Sequence, residues 1–543
     1  MIGVIAKADQ RVVVREFFEL FKTPWEFHEE ERTYEVVIAT ADRVPPLDAP
    51  LLLIYGCDTT STDPAIGVIA GRRRAGASLQ CGSMSAPIYG GLLTFQEDSA
   101  GAVHATTDEG IAALRFDRGG ATIIRLGYDL FEEVRFLLTV GQPVQHARVP
   151  TLDAHIRMLR TWILNAGVPL VEIPPVPAGY DFTVCLTHDI DFVGIRRHRF
   201  DHTMWGFLYR STVGSLRRVL KGRLSVARLL MMWRAAASLP FVFLGWTEDF
   251  WNPFPWYLHV EQGLPATYFL IPFKRRVGQH VPGRHPARRA TAYDVADIPQ
   301  WPTALREKGC EVGVHGIDAW HDVPKGRAEL MRITAITGVP IAGVRMHWLL
   351  SDVGTASTLE RAGYTYDASA GYNETIGYLN GTTQTFRPFT THTLLELPLH
   401  IQDGALFYPH NLDLSEAEAA EQCRLLLDHA QSSGGVLTVL WHDRSHGPER
   451  LWGDFYIGLV QTLRSSNVWF ATASQAVGWF HARRRVRFAR PDHGSHSSVR
   501  VFYEGPPIDP PLILRQHDGA RATDTTWNGV TPLDVRSPLP VAS

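Results

Sequence analysis

The chain has 543 residues, 45% of them hydrophobic, and 53 Lys and Arg stand against 56 Asp and Glu for a formal net charge of −3. That length supports two to four domains with ordinary cores, and so even a charge balance implies no nucleic-acid partner. Five scattered cysteines, Cys57, Cys81, Cys185, Cys310 and Cys423, contain no C-x-x-C pair, which argues against a disulfide framework or a thiolate metal cluster and fits a reducing compartment.

The opening "MIGVIAKADQRVVVREFFELF" lacks the apolar centre of a secretory signal. No run of about 18 uninterrupted apolar residues occurs anywhere, so the expectation is a soluble, cytoplasmic protein. Residues 1–150 mix short strand patterns ("EVVIAT", "PLLLIYG", "AIGVIAG") with Gly-, Ser- and Thr-rich connectors and the helical run "GYDLFEEVRFLLTVG". They read as a smaller α/β accessory domain without a reactive cluster. Residues 151–180 follow as a helix, in which Leu152, Ile156, Leu159 and Ile163 keep helical spacing, and a proline-stiffened linker, "GVPLVEIPPVPAGY".

From 181 to 480 short apolar runs recur: "FTVCLT", "ATYFLI", "CEVGVH", "IAGVR", "YTYDAS", "LLELPL", "VLTVLWH" and "NVWFAT". Helical segments separate most of them, one marked by a capping box of Ser415 with Glu418. Near-continuous apolar strands alternating with helices predict a parallel sheet covered on both sides. Seven or eight such units predict a distorted (β/α)7–8 barrel, with its chemistry at the C-terminal ends of the strands.

Those ends carry titratable groups. In "CLTHDID" (185–191), Asp189 and Asp191 share one face of an extended strand and His188 and Ile190 take the other. Paired carboxylates are costly unless a cation lies between them, and the plain alternative is a solvated Asx turn. Yet "CEVGVH" ends in His315, with Asp318 and His321 beyond it. "IAGVR" ends in Arg345, with His347 two residues on. "YTYDAS" carries Asp367, and "VLTVLWHD" ends in His442. Any one of these could be an ordinary hydrogen-bonded residue; agreement across five strands predicts one convergent site.

The order of these motifs resembles that of the polysaccharide deacetylases, the NodB-homology or carbohydrate esterase family 4 proteins. "THDID" resembles their first motif, "VGVHGIDAWH" the histidine-bearing second, "GVRMHW" the arginine motif, "YDASAGY" the fourth and "VLTVLWHD" the last. The His-Asp-x-Asp form and the extra N-terminal domain resemble a bacterial subgroup. The resemblance implies a hydrolase with a divalent metal, most often zinc, held by one Asp and two His. It implies Asp191 and His315 as ligands, Asp189 as the base, His442 as the acid, Asp367 as the residue orienting His442, and Arg345 as the partner of Asp189. The family's second motif spaces its histidines four apart, but position 319 is Ala here and His321 lies six beyond His315. His347 is therefore the favoured third ligand and His321 its rival. The implied substrate is a carbohydrate or acylated saccharide intermediate.

The segment 192–260 reads as an insertion between the first two barrel strands. From His202 to Thr247 it holds no acid but seven cations, Arg210, Arg217, Arg218, Lys221, Arg223, Arg228 and Arg234, interleaved with Leu, Met, Trp and Phe. Two expectations stand: peripheral contact with an anionic membrane through 202–247, or a helical lid or contact between copies in a homo-oligomer. Residues 481–543 read as a small β appendage and a loose tail. Three functions remain open: removal of N- or O-acyl groups from a saccharide, hydrolysis of a non-peptide C–N bond in a small amide, and a non-catalytic binding or scaffold barrel. No P-loop, dinucleotide fingerprint or nucleophile elbow is present.

Overall fold

The computed structural model describes residues 1–42, 49–279, 289–338, 340–490, 498–519 and 521–536. Its N-terminal part is a nine-stranded sheet. Five parallel strands run in the order Trp25–Phe27, Ile2–Ile5, Val36–Ala39, Leu51–Tyr55 and Ala121–Leu126, and four antiparallel ones extend the edge. The apolar strings VVIA and LLLIY are buried throughout, as parallel strands covered on both faces require.

The helix Thr151–Asn165 belongs to this domain's core. Leu152, Ile156, Leu159 and Ile163 pack with Phe17, Leu53 and Phe131, so the first core extends past residue 150. The proline-rich stretch behind it is buried rather than free. Leu170–Glu172 pairs antiparallel with Leu512–Asp518, which pairs in turn with Arg521–Trp527.

A second three-stranded antiparallel sheet joins Arg487–Ala489, Ser498–Phe502 and Leu533–Arg536. Residues 521–536, expected to be loose, therefore carry two strands. Almost every side chain of Arg521–Trp527 is exposed, so backbone pairing and the Arg515–Asp524 ion pair at 2.7 Å hold it. An apolar pattern to announce it is missing.

The barrel comprises nine parallel strands. In chain order they are Phe182–Ile190, Ala266–Leu270, Glu311–Gly316, Gly343–Met346, Tyr366–Asp367, Leu395–Glu396, Ile401–Gln402, Val436–Leu440 and Val468–Phe470. The spatial order is sixth, fifth, fourth, third, second, first, eighth, seventh, with the ninth also paired to the first. The two ends of that order, Leu395–Glu396 and Ile401–Gln402, are separated by four residues, which reach at most about 17 Å. Eight strands laid flat would hold those edges about 34 Å apart. The sheet must therefore curl round on itself, and the chain rather than a hydrogen-bonded ladder bridges its seam.

Alternation along the strands sorts the side chains. Phe182, Val184, Leu186 and Ile190 join the layer shared with the surrounding helices, whereas Cys185 packs inward with Phe269 and Tyr366. Gly343 is required here: a Cβ on it would lie 1.8 Å from the Tyr366 ring. The insertion forms helices His202–Tyr209, Ser215–Leu220 and Val226–Leu244, the first two joined by a π-helical stretch over Arg210–Gly214.

Candidate active site

The convergent residues meet where the barrel strands end. They line a cavity of about 510 Å³ that includes Asp189, Asp191, His315, His347 and His442. On the first strand the two faces divide the work. His188 points outward, its ring 3.9 Å from that of Tyr257, and its two ring nitrogens lie 2.9 Å from the Trp441 carbonyl and 2.7 Å from Glu261. It fastens the strand to its covering helix, and Asp189 and Asp191 are left to face the cavity.

Asp191 Oδ1 lies 3.3 Å from His315 Nε2 and 3.3 Å from His347 Nε2. One ligand atom from each of these residues falls within 4.8 Å of the others. His315 Nδ1 contacts the Arg345 carbonyl at 3.0 Å, which fixes its ring and directs Nε2 inward. Asp191 Oδ1 is buried and has no hydrogen-bond partner among the described residues, a costly state for a carboxylate. Burial alone would raise its pKa, but His347, His315 and His442 together hold it well below the usual carboxylate range. Burial pushes the His347 imidazole down to about 3, although Asp191 opposes this. His347 is thus neutral near pH 7, the form that coordinates metals. An ionised carboxylate with an orphaned oxygen between two inward-facing ring nitrogens is a donor set that fits a divalent cation.

Strain accompanies His347. The next two residues, Trp348 and Leu349, take φ of 69° and 53°, the left-handed region that non-glycine residues avoid. Asn373 Nδ2 donates to the Trp348 carbonyl at 3.3 Å and supports the turn. Asp443 Oδ1 accepts from the Asp191 backbone N–H at 3.2 Å and secures the carboxylate just past its strand.

Asp189 is buried, 3.4 Å from Arg345 Nη1 and 3.9 Å from His315 Nε2. Arg345, fully buried, also donates from Nε to the Ala368 carbonyl and from Nη1 to Thr187, each at 2.8 Å. Its Nη2 is buried without a hydrogen-bond partner among the described residues.

His442 is governed by Asp403. Its Nδ1 stands 2.6 Å from Asp403 Oδ1, and its backbone N–H donates to Oδ2 at 2.8 Å. Burial works against charge on this ring, but Asp403, with help from Asp189 and Asp191, outweighs it and pushes the pKa up to about 10. Nδ1 being occupied, Nε2 is the nitrogen left for the cavity.

One sequence expectation needs correcting. Asp367 does not orient His442. Its carboxylate accepts from the Ser369 backbone N–H at 3.1 Å and from the Ser369 hydroxyl, and burial pushes it up to about 6 beside Glu396 and Arg345. The role expected of it falls to Asp403, which follows the two-residue strand Ile401–Gln402. "LHIQD" would have revealed Asp403 had strand ends been searched in so short a run. His321 stands outside the cluster: its Nε2 lies 3.1 Å from Asp318, whose other oxygen pairs with Lys325 at 3.2 Å.

No family model and no curated protein matches the chain. Solved structures do resemble it. The carbohydrate deacetylase Agd3 is 10% identical over 98% of this chain and 99% of its own, at TM-score 0.37. A Mycobacterium smegmatis protein assigned as a polysaccharide deacetylase is 18% identical over 59% of this chain and 100% of its own, at TM-score 0.35. The Puue allantoinase is 14% identical over 57% of this chain and 93% of its own, at TM-score 0.34.

Proposed function

We propose that the protein is a metal-dependent hydrolase that removes an acetyl or related acyl group from a nitrogen or oxygen of a saccharide. One observation carries this reading. A single cavity brings together an orphaned Asp191 oxygen facing two histidines, a carboxylate held by arginine, and a histidine kept charged by a buried aspartate. Asp191, His315 and His347 would hold the ion, and nitrogen and oxygen donors in this number suit zinc. When bound, such an ion supplies Lewis acidity toward the acyl carbonyl and toward water.

The chain's own groups do the rest. Asp189 takes the proton of the attacking water, and Arg345 fixes the direction of its carboxylate through the 3.4 Å contact. His442 carries a proton to the departing nitrogen or oxygen from Nε2, while Asp403 holds the ring from behind. Trp348 and Tyr408 line the same cavity and offer faces on which sugar rings stack.

The small-amide reading would gain from a chamber closed beneath the 192–260 insertion. That insertion contributes only Phe192 to the cavity lining, which favours a larger substrate. The test is acetate release from N-acetylated and O-acetylated oligosaccharides by the zinc-loaded protein. Release that disappears in Asp189→Asn and His442→Ala supports the reading. A loaded protein that releases nothing from this panel while it opens small cyclic amides would replace it with the second.

A further inference from the structure

Among the described residues, 22 large hydrophobic side chains are exposed, and 13 of them lie between Phe200 and Trp246. They form two stripes. Trp205, Tyr209, Val213, Leu216 and Leu220 recur every three or four residues along the first arm, with exposures from 42% to 79%. Val226, Leu230, Trp233, Phe241 and Leu244 do the same along the second, and exposed Ala237 continues that line. The opposite side is already used: Met204, Phe207, Leu239 and Val242 pack with Ile195 and Trp251. A helix apolar all round is one with a nonaqueous neighbour on each side.

Charge identifies that neighbour. No acid occurs from His202 to Thr247. Arg223 and Arg228 pair with Asp413 and Glu416 and pin the hairpin to the barrel. Arg217, Arg218, Lys221 and Arg234 are exposed, and among the described residues none of them has a carboxylate within ion-pair distance. Apolar stripes bearing tryptophans and flanked by cations without an ion-pair partner match the interface of an anionic bilayer. A protein partner would have to supply both a large apolar face and a surplus of acids.

We infer that the helical hairpin 202–246 docks the protein on an anionic lipid surface, its two exposed stripes seated among the acyl chains and Arg217, Arg218 and Lys221 among the headgroups. It lies on the membrane and does not cross it. The helix Val226–Leu244 is by length and composition apolar enough to span. Its start, however, is held on the barrel, where Arg228 reaches Glu416, and just past its end the Thr247 carbonyl accepts from Arg196 Nη2, six residues beyond the first barrel strand. The charged Arg234 and the helix-weakening Pro240 also lie within it.

The test centrifuges the full chain with vesicles of phosphatidylcholine, alone or mixed with phosphatidylserine. Binding to the mixed vesicles is expected to be on the order of tenfold stronger and to weaken with salt. Leu220→Ser/Leu230→Ser/Trp233→Ser should abolish sedimentation with both vesicles. Arg217→Glu/Arg218→Glu/Lys221→Glu should remove the phosphatidylserine preference. Wild-type tryptophan emission should shift to the blue on vesicle addition through Trp205, Trp233 and Trp246, a readout independent of any variant's folding. Absence of both sedimentation and shift overturns the inference. So does a dimer, seen by sedimentation velocity, that the apolar triple variant converts to monomer without any vesicle binding, because the face would then join two copies of this chain.

Discussion

Two buried arginines, one in each large sheet, show how a structural ion pair differs from a site. Arg125 in the N-terminal sheet is fully buried and grips both oxygens of Asp63, at 2.8 and 3.2 Å. Its remaining donors reach the carbonyls of Gly56, Leu126 and Asp58. Arg345 in the barrel is equally buried, yet it meets Asp189 only at 3.4 Å and leaves Nη2 unsatisfied. The first arrangement closes every polar group on itself. The second leaves Asp189, Asp191 and the His315 and His347 rings facing a cavity. A buried ion pair left partly unsatisfied beside a cavity, and not buried charge as such, separates this end of the barrel from the Arg125–Asp63 pair.

The comparison can be broken most sharply by Asp189→Asn, which should lower acyl hydrolysis by roughly 10²–10⁴-fold while the metal stays bound, as steady-state rates and elemental analysis would register. Arg125→Met should instead leave the metal site intact and cost about 3–5 kcal/mol in urea unfolding, because it strands Asp63. Arg345→Met should cost less stability than Arg125→Met and more activity; the reverse order would erase the distinction.

Asp403 sharpens the picture through pH. His442 has its pKa raised from 6.5 to about 10 in the folded state, where Asp403 overcomes the opposing effect of burial. The stability from this pair is therefore complete below about 6.5 and is lost as pH climbs through about 10. The proton-donating form follows the same course, so activity should fall on an alkaline limb near pH 10. Asp403→Asn should bring that limb down toward 6.5 in a rate–pH profile. The smallest effect belongs to His321→Ala, expected to change stability by no more than about 0.5 kcal/mol and metal content not at all.

Much of this was legible in the sequence because parallel barrel strands are buried on both faces and read as apolar runs ending in polar groups. "FTVCLT" followed by Asp189 and Asp191, and "CEVGVH" ending in His315, are such cases. The Ser415–Glu418 capping box was equally plain. The two-residue strand Ile401–Gln402 was not, since so short a segment carries no periodicity, and Asp403 went unnoticed with it. Asp367 took its expected place on a strand end but turned its carboxylate to Ser369, a choice of rotamer and hydrogen bond that residue spacing does not encode. Arg521–Trp527 escaped because its polar side chains are held by backbone pairing. The unusual run from 202 to 247 was visible as composition. Only the fold shows that its second apolar side remains uncovered.

The measurement that tests the central claim most directly is the metal content of the purified protein beside single alanine variants at Asp191, His315, His347 and His321. One equivalent of zinc or a similar divalent ion, lost in the first three variants and kept in His321→Ala, is the expected result. A protein that takes up no ion under any loading condition, or one that loses it through His321 and not His347, would contradict the account.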